Sequence, residues 1–582
     1  MEAVQLEKFF KYQTLPFTAE EIAFLESSDP DPEIVVENMI ESSGRSQKVI
    51  FMVDGVKNMS KPRRTPCNLP LGKITVRRIN YAALYELPIQ PSAELTDALS
   101  WILTNRMKEY IMAHPDFSEM RRTKCQHVSR YLSSDLEPLH DQGMFSLAPW
   151  GPGALEVPLF KVPKASFVDA RLIGDCRTIN RLLPKSGPMG LPELPNLIRQ
   201  LLSRRVLYQL DSRSYFYAFG VGHDTSEVFS VRWGDRRGKF FTSRWNVMPQ
   251  GFCMAPRIAQ LTSKLLCANA AAGLDVTFEP WVDNFLHGTD DMETMTILID
   301  RFAKVCDLCN VDCKPSDLPP GPFLDAIGLH FDVSSSDVMD HFVEIQESFR
   351  LKMLEDQKLL STTMTPRQYF QIFGGCMWGN YAVGRQPLCR WTDALQTLRE
   401  IAISIHKDGT QEAWDRPTMI SARALKDLKN LSDELMATKK TLRFLRLEQP
   451  TKDLWTDASS WALGYLQTNP LAGAHRTHAI RDIFVAELLV ACEAWYTARH
   501  SVPNINIDNT GAVGALAKGH SRTARGNLIL SRLYEHLPSG ARAWLTTVPT
   551  GCQRSDLLSR GVYAAGPPCG HEHVSKPVAW SK

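Results

Sequence analysis

Apolar residues recur along this chain in several distinct rhythms. Between residues 92 and 114, Leu95, Leu99, Ile102, Leu103 and Met107 fall at helical spacing, which predicts a helix there. Thr18 and Glu21 make a capping-box pattern ahead of Ile22, Phe24 and Leu25, the signature of a helix start. From about residue 150 to 335 the apolar runs shorten and are punctuated by Pro, Gly and Asp, which predicts mixed α/β structure. Residues 340–447 read as mainly helical, with Leu425, Leu428, Leu431 and Leu435 on one stripe. After Pro450 the stretch KDLWTDASSWALGYLQT alternates and predicts a strand pair.

Composition bounds this picture. A chain of 582 residues, 44% of them apolar, has material for roughly three to five structural units with sizeable cores. No run of 18 apolar residues occurs, so no membrane-spanning helix is expected, and the N-terminus (MEAVQLEKFFKYQ) lacks an apolar signal core. The net charge of +2 says little, because positive charge can be gathered in one cleft. Locally, Ser421 to Lys452 carries eight Lys/Arg against four Asp/Glu, whereas Glu20 to Glu41 has acidic residues and no Lys or Arg. The first stretch suits a phosphate backbone and equally an ordinary solvated helix face; the second is a poor nucleic-acid surface. Thirteen irregularly spaced cysteines read as reduced thiols of an intracellular protein, cytoplasmic or nuclear. Neither Cys306, Cys309 and Cys313 nor Cys569, His571 and His573 supplies four paired zinc ligands.

Two carboxylates in the mixed region stand out. Asp211 ends an apolar run in VLYQLDSRSYFYAFGV, and Asp283-Asn284 sits between two short apolar runs in EPWVDNFLHG. Asp and Asn tolerate left-handed geometry, so the second reads as a tight hairpin with Asp283 near its tip. Nucleotidyl transfer needs such paired carboxylates to hold two cations against a 3′ hydroxyl and a triphosphate. Either residue alone is more often a turn or cap.

Their surroundings carry a resemblance. KVPKASFVDARLIGDCRTINRLL precedes Asp211, MPQGFCMAP lies between the two carboxylates, and Lys314 and FLDAIGLHF follow. This order resembles the reverse transcriptase family. Arg171, Asp175, Arg177 and Asn180 match its finger pattern R-x-x-x-D-x-R-x-x-N, and the successive intervals Arg171–Asp211–Gln250–Asp283 are 40, 39 and 33 residues. The resemblance implies a right-hand polymerase with Asp211 and Asp283 as metal-binding catalytic residues and Asn284 beside them. It implies nucleotide contacts from Lys164, Arg171, Gln250, Gly251 and Lys314, a steric gate against ribose at Phe216, and a primer-grip hairpin at residues 323–331. The departure is WVDN where the family has Y-x-D-D. Asn284 can offer a metal a carbonyl oxygen but no charge, so affinity is expected to fall or to shift toward manganese.

The C-terminal region holds Asp457, Glu487, Asp508 and Asp556 at intervals of 30, 21 and 48 residues. Singly these would be surface carboxylates or helix caps. Together they resemble the ribonuclease H family in its D-E-D-D order, which implies an α/β domain binding two cations. A cluster of carboxylates is self-repulsive without them. No histidine stands just before Asp556. VPTGCQRSDLLSRG and DNTGAVGALAKGHSRTARGN resemble the corresponding stretches of DIRS-order, tyrosine-recombinase (VIPER-like) retrotransposons and, more distantly, of hepadnaviruses.

The expected organisation is α+β and multidomain. Residues 1–125 are a region without assigned role, 126–335 fingers and palm, 336–449 a helical thumb or connection, 450–565 ribonuclease H and 566–582 a tail. The implied function is RNA-directed DNA synthesis with removal of RNA from the hybrid, replicating a retrotransposon. Its cofactors would be two magnesium or manganese ions per site. Its partners would be an RNA template, a DNA or RNA primer, the RNA/DNA hybrid and deoxynucleoside triphosphates. Two alternatives stand beside it: a protein whose palm is disabled by Asn284 and that keeps only ribonuclease H, and a domesticated, non-catalytic nucleic-acid-binding scaffold.

Overall fold

The computed structural model describes residues 4–6, 8–27, 69–74, 76–122, 133–164, 168–184, 187, 189–234, 240–316, 318–383, 387–408, 412–437, 442–443, 449–538, 541–567 and 575–579. Helices and mixed sheets make the chain an α+β, multidomain protein. It divides into two compact units, one of residues 63–343 and one of residues 1–62 with 344–582.

In the first unit the helical rhythm of residues 92–114 produces two helices, Ala93–Leu103 and Arg106–Met112. The break falls at Thr104, whose hydroxyl donates to the Ser100 carbonyl and accepts from the Arg106 amide. Such local bonds compete with the helical ladder. Six elements then lead to the first acidic centre. They are the hairpin β1 (Leu159–Pro163) and β2 (Ala170–Gly174), the strand β3 (Val206–Ser212), the helix α1 (Ala255–Ala271), and the hairpin β4 (Thr277–Trp281) and β5 (Asn284–Thr289). After helix α2 (Met292–Cys309), β6 (Cys313–Pro315) completes a four-stranded antiparallel sheet in the order β6-β3-β5-β4. Phe278, Phe285 and Phe302 pack on one another beneath it. The 323–331 segment forms the expected hairpin, Phe323–Ala326 with Leu329–Asp332. Its two turn residues, Ile327 and Gly328, both have positive φ, the geometry that matches strand twist in two-residue hairpins.

In the second unit the alternating stretch after Pro450 forms β7 (Lys452–Ala458) and β8 (Ala462–Thr468), followed by β9 (Leu471–Thr477). The buried helix α3 (Ile483–Thr497) crosses to β10 (Pro503–Ile507), which pairs parallel with β7. β11 (Arg542–Thr547) pairs parallel with β10, and the four-residue helix α4 (Asp556–Ser559) follows. The sheet order is β9-β8-β7-β10-β11-β12, where β12 is Ser575–Ala579. The stretch expected as a loose tail thus supplies an edge strand, because its backbone takes up the free side of β11. Cys569, His571 and His573 lie outside the described residues.

The first 125 residues are not one region. Residues 4–27 fold with the second unit and residues 69–122 with the first. The capping box at Thr18 and Glu21 forms as expected, with Glu21 N–H donating to Thr18 Oγ1 at 3.2 Å and Thr18 N–H to Glu21 Oε2 at 2.9 Å.

Candidate active sites

The first centre is assembled by strand register. On β3, Asp211 is directly opposite Asn284 of β5 and, on its other flank, Lys314 of β6. Asp283 lies in the two-residue turn between β4 and β5, and its carbonyl accepts from the Ser212 amide at 2.8 Å. The left-handed residue of that turn is Val282, at φ 60°, and not Asp283 or Asn284 as the sequence suggested. A β-branched residue there is strained by about 1–3 kcal/mol and persists only where its surroundings impose it. Here α1 does so. Gln260 accepts from the Val282 amide at 2.7 Å, and Ser263 donates to the Val282 carbonyl at 2.7 Å.

The electrostatics are those of paired carboxylates. Partial burial, reinforced by Asp283, pushes Asp211 up to about 6, against the opposing pull of Lys314 and Arg171. Burial also raises Asp283. Asn284 is engaged at both ends. Its oxygen accepts from Gln209 Nε2 at 2.8 Å, and its amide nitrogen donates to Asp283 Oδ1 at 3.3 Å. A carboxylate can only accept, so the Asn284 nitrogen must face Asp283 and its oxygen must turn to Gln209. The oxygen that could serve a metal therefore already accepts one hydrogen bond, which leaves it a single lone pair.

The other expected nucleotide contacts are distributed around this sheet. Arg171 is an exposed residue of β2. Lys164 closes the β1–β2 hairpin and is ion-paired with Asp169 at 2.7 Å, so an incoming anion would compete with that carboxylate. Gln250 and Gly251 form a loop held against β2. The Gly174 amide donates to the Gln250 carbonyl at 3.0 Å, and Asn180 donates to the Gly251 carbonyl at 2.9 Å while accepting from the Cys253 amide at 3.0 Å. Gly251 sits at φ 111°, and a Cβ there would meet the Gly174 oxygen at 2.4 Å. Its place is a matter of backbone approach. Phe216 is half-buried against the core of this unit.

The second centre joins three of its four expected residues. Asp457 is on β7, Glu487 on α3 and Asp508 just after β10, and one ligand atom from each lies within 4.8 Å of the others. Among the described residues no other group of three or more His, Cys, Asp and Glu converges so closely. Glu487 Oε1 accepts from the Ala458 amide at 3.0 Å, while its Oε2 is buried without a partner. Burial, with Asp457 and Asp508 alongside, pushes Glu487 up to about 9. Burial, with Asp508 and Asp556 alongside, pushes Asp457 up to about 7. Asp508 is raised as well, chiefly by burial. Carboxylates held this way accept their charge only when a cation compensates it. The orphaned Oε2 and the all-oxygen donor set suit a hard divalent ion.

Asp556 is not within this triad. It opens α4 at the rim, ion-paired with Arg560 at 2.8 Å. The same helix carries a contact that sequence reading missed: Ser559 Oγ donates to Asp457 Oδ2. The D-x-x-S spacing was the available signal. Gln209 had no signal, since its partner is 75 residues away.

No protein-family model matches this chain. The Gag-Pol polyprotein of bovine immunodeficiency virus (strain R29) is 26% identical over 164 residues, which are 27% of this chain and 11% of that polyprotein. The chain thus spans about a tenth of that relative's length. Among solved structures, the foamy viral protease-reverse transcriptase dRH in complex with double-stranded DNA aligns with TM-score 0.45, 14% identity and 82% of each chain. The foamy viral protease-reverse transcriptase with RNA/DNA hybrid aligns with TM-score 0.41 and 14% identity, over 90% of this chain and 63% of the other. In sequence, then, about a quarter of this chain is similar to part of a Gag-Pol polyprotein.

Proposed function

We propose that this protein is an RNA-directed DNA polymerase with a fused ribonuclease H, and that it serves a retroelement. The observation that carries the reading is the register that sets Asp211 between Asn284 and Lys314, with Asp283 in the adjoining turn. The similarity to a Gag-Pol polyprotein and the carboxylate triad of the second unit support it. In this reading residues 126–335 are fingers and palm, 336–449 the thumb or connection and 450–565 the ribonuclease H, and the element is of DIRS order.

Asp211 and Asp283 would hold divalent ions at the first centre, and Asp457, Glu487 and Asp508 at the second. When bound, such ions neutralise developing charge and lower the pKa of a bound water. The chain's own groups do the rest. Arg171 and Lys314 add positive charge beside the carboxylates, where a triphosphate would need it. The Asn180-held loop sets the backbone of Gln250 and Gly251, and Phe216 would supply the bulky ring that excludes a ribose 2′ hydroxyl.

The decisive assay is primer extension on an RNA template with deoxynucleotides, in magnesium and then in manganese, beside cleavage of an RNA/DNA hybrid. Extension together with cleavage is the expected result. Cleavage without extension in either ion would establish the narrower reading, a ribonuclease H beside a silent palm. That reading has one observation in its favour, the engagement of the Asn284 oxygen by Gln209.

The same contact makes a prediction. Gln209→Leu removes the donor that orients Asn284 and is expected to reduce extension about tenfold, the scale of lost support for a metal-binding carboxylate. Hybrid cleavage by the same protein is expected to be unchanged. Equal loss of both rates would assign Gln209 a role in folding only.

A further inference from the structure

The N-terminal segment is far from the second centre in sequence and close to it in space. Strand Val4–Gln5 pairs antiparallel with Ala564–Ala565, immediately beyond α4. Leu6 is 5% exposed and packs in one apolar cluster with Leu558 of α4, together with Trp455, Leu466, Val548 and Ala565. The two leucines meet over Gly473 of β9, where a Cβ would lie 2.4 Å from Leu6 Cδ1 and 2.9 Å from Leu558 Cδ1. Next along the chain, the Gly473 amide donates to the Lys8 carbonyl at 3.2 Å and the Phe10 amide to the Gly473 carbonyl at 2.9 Å. This covers β9, the edge strand of the sheet. Phe9 stacks on Tyr563, and Tyr12 stacks on Tyr465 at 4.3 Å. Glu21 and Arg532 form an ion pair that fastens the far end of the segment.

A helix of four residues has little stability of its own. On its inner face α4 rests on Gly464, where a Cβ would strike the Ser559 nitrogen at 2.6 Å. Its buried apolar residue, Leu558, packs over Gly473 beside Leu6 and in the same cluster. From this helix Asp556 reaches the rim of the triad and Ser559 holds the Asp457 carboxylate.

We propose that the segment Val4–Ser27 is a positioning element of the hybrid-cleaving centre, with Leu6 holding α4 so that Ser559 and Asp556 meet the triad. This rests on the ribonuclease H reading. It also means that the nuclease is not separable as residues 450–582 alone.

The test uses the full chain, Leu6→Ala, and a form lacking residues 1–27 with or without a synthetic peptide of those residues. Hydrogen exchange of the 553–565 amides and the kcat and KM of hybrid cleavage are read together, with primer extension as the internal reference. Leu6→Ala is expected to speed exchange at 553–565 and to lower cleavage kcat roughly tenfold, as loss of support for a ligand does, with KM and extension unchanged. The peptide is expected to restore slow exchange and cleavage to the truncated form. Exchange and cleavage in Leu6→Ala indistinguishable from the parent chain would overturn the proposal. If the parent chain itself fails to cleave, the ribonuclease H reading falls, and the exchange of α4 still decides whether the segment holds that helix.

Discussion

Asp457→Asn is expected to reduce hybrid cleavage about 10³-fold while leaving primer extension intact, and Asp211→Ala to do the reverse. The magnitude follows from charge. Losing one carboxylate from a set that could hold a metal ion removes several kcal/mol of charge stabilisation, and each 1.36 kcal/mol is a factor of ten in rate. The selectivity follows from placement. Asp211 is held by the pairing of β3 with β5 and β6, all within residues 206–315. Asp457 is held on β7 by Ser559, with the nearby Glu487 fixed through the Ala458 amide. Among the described residues, the contacts named at the two centres involve separate sets of side chains. Asn is nearly isosteric with Asp and can still accept from Ser559, so the Asp457 variant is expected to fold. Loss of both activities from either substitution, in protein with an unchanged melting curve, would refute the assignment of two independent centres.

The second large effect concerns the protein without divalent ions. Glu487 is pushed up to about 9 and Asp457 to about 7, whereas unfolded carboxyls titrate near 4. The folded state therefore binds more protons than the unfolded state throughout that interval. Stability then falls as pH rises, because the slope follows the excess of protons bound in the unfolded state. The contribution is fully present below about pH 4 and is lost progressively through pH 7 and toward pH 9. In chelator, the melting temperature of the second unit is thus expected to fall between pH 5 and pH 8. Magnesium should restore it, more strongly at pH 8 than at pH 5, since binding to the folded state alone stabilises it. Glu487→Gln removes the proton uptake that folding requires of this carboxyl at pH 8 and is expected to raise the chelated melting temperature there by roughly 4 °C or more, at 2–4 °C per kcal/mol. Differential scanning calorimetry at the two pH values checks all three. A Glu487→Gln protein less stable than its parent in chelator at pH 8 would show that the Ala458 contact outweighs the repulsion.

Local chemistry was legible in the chain. The alternation after Pro450 became β7 and β8, the capping box at Thr18 formed, and the turn at Val282-Asp283 arose where two short apolar runs closed on each other. These depend on the nearest few residues, whose side chains and backbone preferences act at short range. The acidic positions stood out only through the order and intervals in which they resemble known families; singly each reads as a turn, a cap or a surface carboxylate. Three features were decided only by folding. Strand register turned the Asn284 oxygen toward Gln209. The position of α4 put Ser559 on Asp457 and left Asp556 with Arg560. An edge strand and an apolar cluster recruited Leu6 from more than 400 residues away. Each joins groups far apart along the chain, and burial and hydrogen-bond satisfaction select such partners without regard to sequence distance.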